Sequence, residues 1–159
     1  MKLTRYVAAG FVVSFLTAGW PATALGQATE VRTLNFATEF TLHSDILNED
    51  RTFWVSLPTS YENPMFGPER YPVIYAVDGI SVFFPLAGLV NFMSGWENVN
   101  YQIPEAIVVG IATPDRLRDL TPNGGEGFFE FLIRELFPTI EEQYRTLPYR
   151  VYVGPSRGG

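Results

Sequence analysis

The chain lacks cysteine entirely and has a single histidine, His43, and a single lysine, Lys2. The absence of cysteine excludes disulfides, thiolate metal ligands and a cysteine nucleophile together. The arginines are scattered singly, and the formal net charge is -6. Such a chain has neither the basic stripe that binds a phosphate backbone nor a polybasic patch for a membrane surface. We therefore expect no nucleic-acid partner, and since no His and carboxylate cluster has metal-ligand spacing, we expect no metal and no cofactor.

The first 26 residues have the pattern of a secretory signal peptide. Lys2 and Arg5 precede an apolar run at residues 7–20, and small residues follow it. The run is shorter than the roughly 20 residues that span a bilayer, which argues against a transmembrane anchor. We expect cleavage after Ala24 or Gly26, which would leave a secreted or periplasmic protein with no membrane attachment.

Residues 27–159 have the pattern of one globular domain, because 47% of the chain is hydrophobic and no repeat or linker interrupts it. Alternating apolar residues at 34–42 and 53–57 predict two half-buried strands, with a turn at residues 48–50. Continuous apolar runs, rich in β-branched residues, predict strands buried on both faces. These runs lie at residues 73–77, 107–111 and 151–153.

Helical spacing of apolar residues appears weakly at 82–92 and strongly at 128–144, where Pro138 should cause a kink. Strands thus alternate with helices, which predicts an α/β fold with an antiparallel start and then a mostly parallel sheet flanked by helices. We expect the run 73–77 to pair in parallel with both 107–111 and 150–153. We also expect the last strand to be central in the complete fold, with the strand at 107–111 beside it.

A G-x-S-x-G sequence, GPSRG at residues 154–158, directly follows the last buried run. This is the pattern of a nucleophile elbow, in which a serine sits on a strained turn and the flanking glycines let neighbouring backbone pass without side-chain clashes. The other interpretation is a Gly/Ser-rich tail, which the position after a buried strand disfavours.

Several further segments, in order, resemble the putative-esterase family, which includes enterochelin and other siderophore esterases, esterase D and, more distantly, mycolyltransferases. The segments are RTFWVSLP at 51–58, YPVIYAVDG at 71–79, IVVGI at 107–111, RDLTP at 118–122 and ELFPTIE at 135–141. The resemblance implies the N-terminal part of an α/β-hydrolase fold. It also implies a serine esterase that acts on a small-molecule ester, such as a siderophore or an aromatic acyl ester.

The resemblance also implies roles for individual residues. Ser156 matches the nucleophile, and the backbone N–H of Arg157 matches one oxyanion-hole donor. The second donor is the amide of Ile80, or else that of Gly79. Family members commonly carry histidine where this chain has Pro155, which is tolerable only if the elbow is extended there. In the RDLTP segment, Arg118 and Asp119 either line the substrate mouth or form a surface ion pair.

The remaining candidates are given other roles. Asp78 is expected to shape the turn before Gly79 through local hydrogen bonds. His43 lies upstream of Ser156, whereas the order in α/β-hydrolases is serine, acid, histidine. We therefore expect the chain to be an N-terminal fragment that lacks its acid and base and is inactive alone. The alternatives are an acyltransferase of the same fold and a non-catalytic secreted binding domain with an esterase-like core.

Overall fold

A computed structural model describes residues 35–95, 103–122 and 124–159. Its five strands form one sheet in the order β1-β2-β4-β3-β5. The strands are β1 (Thr38–Ser44), β2 (Glu49–Ser56), β3 (Tyr71–Ala76), β4 (Ile107–Ile111) and β5 (Thr146–Val153). Strand β2 is antiparallel to β1 and β4, whereas β3 is parallel to β4 and β5. The expected antiparallel start and parallel continuation are therefore confirmed.

The parallel pairing of β3 with both predicted neighbours is confirmed, since Tyr75 is opposite Val109 on one side and Tyr152 on the other. The expectation that β4 lies beside β5 is wrong, because β3 separates them. The three runs share the same continuous apolar pattern, so periodicity could not show which strands are neighbours in the sheet. Strand β5 also begins earlier than expected, and its Pro148 falls in a register irregularity where a ladder donor is not required.

Helices flank the sheet. They are α1 (Ile80–Ser94), α2 (Arg116–Asp119), α3 (Gly125–Phe131) and α4 (Phe137–Gln143), with a π-helical turn at Leu132–Leu136 and 3₁₀ turns at Pro64–Phe66 and Ser156–Gly158. The predicted helix at 128–144 is thus present in three segments. The irregularity expected at Pro138 takes the form of the π turn before it, where the Phe137 N–H bonds to the Leu132 carbonyl. A widened turn there accommodates a residue that cannot donate to the helical ladder.

The sheet is covered on both faces. One face packs against α3 and α4 through a cluster that includes Phe53, Val109 and Leu136. The other packs against α1, where Phe83 lies so close to β4 that a Cβ on Gly110 would come 2.6 Å from its ring. Because β3, β4 and β5 run in one direction, the loops that follow them meet at one edge of the sheet. Ligands in such sheets bind at that edge.

The predicted signal peptide and cleavage sites lie outside the described residues. Within the described part of the chain, no helix is long and apolar enough to cross a membrane. The same residues hold no group of three or more His, Asp or Glu side chains that could bind a metal ion.

Candidate active site

Ser156 follows β5 on a sharp turn and has φ of +56°, a conformation that favours glycine. The flanking glycines are required by packing. A Cβ on Gly154 would lie 2.1 Å from the Gly158 carbonyl oxygen, and one on Gly158 would lie 2.7 Å from Val77 Cγ2. No side chain fits at such distances, so glycine at 154 lets the backbone of the turn close on itself, and glycine at 158 lets the turn pack against the side chain of Val77. The geometry is that of a nucleophile elbow.

Pro155 fits this elbow. Its φ of -81° and ψ of 142° are extended values that proline adopts without strain. The elbow is therefore extended at Pro155, which is the condition under which a proline is tolerated before the serine. The Pro155 carbonyl accepts a hydrogen bond from the Gly158 N–H at 3.0 Å, which closes the turn around Ser156.

The two candidate amides in the β3–α1 loop differ in what they already bind. Gly79 N–H donates to the Ile111 carbonyl at 2.9 Å, so this donor is used by the end of β4. Ile80 is the first residue of α1, where a backbone N–H has no intrahelical acceptor. Arg157 is the second residue of the 3₁₀ turn Ser156–Gly158, where a backbone N–H likewise has no acceptor within the turn. Among the described residues, Ile80 and Arg157 are thus the better pair of donors for an oxyanion.

Ser156 lines an open groove of about 530 Å³ together with Asp78, Gly79, Thr113 and Arg116. The Asp78 carboxylate accepts hydrogen bonds from Thr113 Oγ1 at 3.1 Å and from the Arg116 guanidinium, whose Nη2 lies 3.0 Å away. The same Nη2 donates to the Pro155 carbonyl at 3.4 Å. The expected local bond is present at the Asp78 carbonyl, which accepts from Ser81 Oγ at 2.8 Å, whereas the Asp78 carboxylate makes contacts that are distant in the chain.

Sequence reasoning did not single out Arg116 or Thr113. Both act through residues more than 30 positions away in the chain, and no local periodicity marks such contacts. The only available signal was their position in the loop after a buried strand, at the edge where parallel sheets bind ligands.

Arg118 and Asp119 belong to a network of ion pairs rather than to the groove. Asp119 is 2% exposed and accepts two bonds from Arg51, at 2.7 and 2.9 Å. Arg118 donates to Asp119 at 2.9 Å and to both carboxylate oxygens of Glu49. Hydrogen bonding from Arg118 lowers the pKa of Glu49. The ion-pair interpretation of Arg118 and Asp119 fits these contacts, although Asp119 is buried rather than on the surface. Contact of either residue with a substrate stays a prediction.

Asp119 also lines a second cavity, of about 390 Å³, together with Tyr152 and Arg157. This cavity lies beside the elbow, but both oxygens of the Asp119 carboxylate are already bound by arginines.

His43 is placed far from Ser156. It lies on β1, which forms the edge of the described sheet opposite β5. Four strand spacings of about 4.8 Å separate these edges. Its Nδ1 is 2.7 Å from Asp50 Oδ1, and this hydrogen bond raises the pKa of His43. The side chain of His43 is therefore engaged in a surface contact between β1 and β2.

A mixed sheet covered by helices on both faces, with a strained serine after a parallel strand, defines a fold of the α/β-hydrolase type. The IroE-like serine hydrolase from Shewanella oneidensis has a similar structure: 34% identity, a TM-score of 0.71, and coverage of 77% of this chain and 43% of that one. The enterobactin esterase FES from Shigella flexneri shares the fold at 22% identity and a TM-score of 0.61, over 77% of this chain and 31% of that one.

Residues 44–159 match the model of the Putative esterase family, and the chain belongs to that family. Ferri-bacillibactin esterase BesA of Bacillus subtilis (strain 168) is 30% identical over 70% of this chain. The match covers 47% of that relative, so the chain spans less than half its length. The resemblance found in the sequence is confirmed.

Proposed function

We propose that the protein is a secreted serine esterase that cleaves small-molecule carboxylic esters through an acyl-enzyme on Ser156. The observation that carries the proposal is the strained backbone of Ser156 at the carboxyl end of the parallel strands β3, β4 and β5, with unbonded amides at two nearby turns. Siderophore esters are the proposed substrates, because a relative that is 30% identical is named ferri-bacillibactin esterase. Aromatic acyl esters are proposed from the family resemblance of the sequence.

In the first half of the reaction, Ser156 Oγ attacks the ester carbonyl carbon and its proton passes to a base. The carbonyl oxygen becomes an oxyanion, which the amides of Ile80 and Arg157 stabilise; one such donor is typically worth about 3 kcal/mol. Collapse of the tetrahedral intermediate breaks the bond to the alkoxide, which leaves as the alcohol after taking up the proton. Water then attacks the acyl-enzyme by the same route and releases the acid.

The base in this scheme is proposed to come from sequence outside residues 1–159. Two observations support this. His43, the only histidine of the chain, lies on the far edge of the sheet, and the chain spans less than half the length of BesA. A serine without a base is a poor nucleophile. We propose that residues 27–159 alone do not turn over esters.

The test uses the full-length gene product with an activated aryl ester and a catecholate siderophore ester. Ser156→Ala should lower kcat by on the order of 10⁴-fold or more, and a fluorophosphonate should label Ser156 in the unmodified protein. His43→Gln is the matched control and should keep its turnover. Equal turnover by the Ser156→Ala variant would reject the proposal.

Two outcomes would favour the other functions. Product that appears on an added alcohol rather than on water would indicate an acyltransferase. Tight binding of the ester with no serine-dependent turnover in the full-length protein would indicate a binding domain.

A further inference from the structure

Two non-glycine residues that line the Ser156 groove have strained backbones. Asp78 has φ of +73° and Ser156 has φ of +56°. Each such residue costs roughly 1–3 kcal/mol and persists only where the surrounding structure holds it in place. Asp78 lies in the loop after β3 and Ser156 in the turn after β5, so the two strained turns are far apart in the chain and adjacent in space.

Arg116 connects these two turns. Its Nε and Nη2 bind the two carboxylate oxygens of Asp78, and its Nη2 also donates to the carbonyl of Pro155, the residue before Ser156. Arg116 itself begins α2, in the loop after β4. One guanidinium therefore joins the loops that follow three neighbouring parallel strands, at the edge of the sheet where the groove lies.

The contact between Arg116 and Asp78 fixes the relative orientation of the two side chains as well as the distance between them. The pairing with Asp78 is bidentate, in which a planar guanidinium matches a carboxylate and restricts its orientation. Asp78 is held from a third direction by Thr113 Oγ1, and its side chain is 9% exposed. Arg116 is 46% exposed, so the ion pair itself adds little stability. Its main effect is on the arrangement of the two turns.

We propose that Arg116 is a positioning residue that holds the Asp78–Gly79 turn against the Pro155–Ser156 turn, so that the amides of Ile80 and Arg157 face the same oxygen. The inference rests on the proposed esterase function and extends it. Arg116 transfers no proton and forms no bond to the acyl group. Since the amides act on charge that develops only in the transition state, loss of alignment should lower kcat and leave KM nearly unchanged.

The test compares Arg116→Gln, Arg116→Lys and Asp78→Asn in the full-length protein, with an uncharged aryl ester as the substrate. Each rate is divided by the concentration of active sites, measured by titration with a fluorophosphonate. This normalisation removes any contribution from unfolded protein. We expect Arg116→Gln to lower kcat by roughly 10- to 100-fold, as small misplacements of catalytic groups do, with KM changed less than about twofold. Lysine should restore only part of the rate, because it cannot form the bidentate pair.

Asp78→Asn should resemble Arg116→Gln, and the double variant should be little worse than either single one, because both break the same contact. Arg134→Gln removes another exposed arginine, whose partner is Glu130 four positions earlier, and should leave kcat unchanged. A raised KM with unchanged kcat, or no kinetic effect, would overturn the positioning role. Ser156→Ala in the same assay separates the two proposals: if it stays active, the esterase mechanism itself has failed.

Discussion

At the residue scale, two glycines of the chain have opposite surroundings. Gly154 is the first residue of the elbow, and a Cβ there would meet the Gly158 carbonyl oxygen at 2.1 Å and its carbon at 2.4 Å. These are backbone atoms, so the turn itself would have to move. Gly88 lies inside α1, where a Cβ would have no neighbour within 4 Å. An alanine would therefore collide with backbone atoms at position 154 and meet no neighbour at position 88.

We expect Gly154→Ala to destabilise the full-length protein by about 1–3 kcal/mol, the usual cost of overpacking, and to abolish serine-dependent turnover. Gly88→Ala should stabilise it by about 0.5–1 kcal/mol, because glycine is the poorer helix former. Urea unfolding and esterase rates measure both effects. If the two variants had the same stability and activity, the close approach within the elbow would be wrong.

The sequence was informative about Ser156 and uninformative about Arg116 for a physical reason. The elbow is a local feature, because five consecutive residues and the strand before them determine the turn. The contacts of Arg116 with Asp78 and Pro155 span 38 and 39 positions. They depend on the order of the strands, which local pattern does not determine.

At the element scale, β2 carries a signal that sequence reasoning missed. Arg51 alternates with Phe53 and Val55, so a period of two places its side chain on the core face. It is 1% exposed and binds Asp119 through two hydrogen bonds, with its guanidinium 5.4 Å from the centre of the Phe128 ring. An arginine at an inward position of a strand requires a buried carboxylate partner. This pair connects β2 to α2, the short helix that begins with Arg116.

Removing Asp119 should be costly, since the buried Arg51 would keep only the partly exposed Glu49, 2.7 Å away, as a counter-charge. We expect Asp119→Asn to destabilise the protein by about 3 kcal/mol, the lower end of the cost of breaking a buried pair, measured by denaturant unfolding. Glu141→Gln breaks the pair of Glu141 with Arg150, whose side chains are 32% and 46% exposed, and should cost less than about 1 kcal/mol.

The double variant Arg51→Met with Asp119→Leu is a second check. Apolar residues of similar volume often replace a buried ion pair without loss. Recovery of most of the stability would show that the cost of Asp119→Asn comes from the stranded charge of Arg51. A double variant as unstable as the single one would contradict this explanation.

At the scale of the whole molecule, the prediction that residues 151–153 are buried on both faces is wrong, because Val151 and Val153 are only half-buried and Tyr152 is exposed on β5. Strand β5 pairs with β3 on one side, and none of the described residues pairs with its other side. Tyr149 is 65% exposed and Leu147 is 39% exposed. An apolar edge with unpaired backbone donors and acceptors favours pairing with another chain. The net charge of -6 opposes this only weakly, because the screening length is about 8 Å at physiological salt.

We therefore expect residues 27–159, expressed without the signal segment, to self-associate or to unfold without a cooperative transition. Size-exclusion chromatography with light scattering and thermal unfolding measure this. Leu147→Lys with Tyr149→Lys should reduce association, because edge lysines oppose strand pairing. Met65→Lys, which places a lysine at a loop residue that is 85% exposed, should not reduce it. A sharp monomer peak with a cooperative transition in the unmodified segment would contradict the prediction. It would also favour the binding-domain alternative, since residues 27–159 would then be a self-sufficient domain.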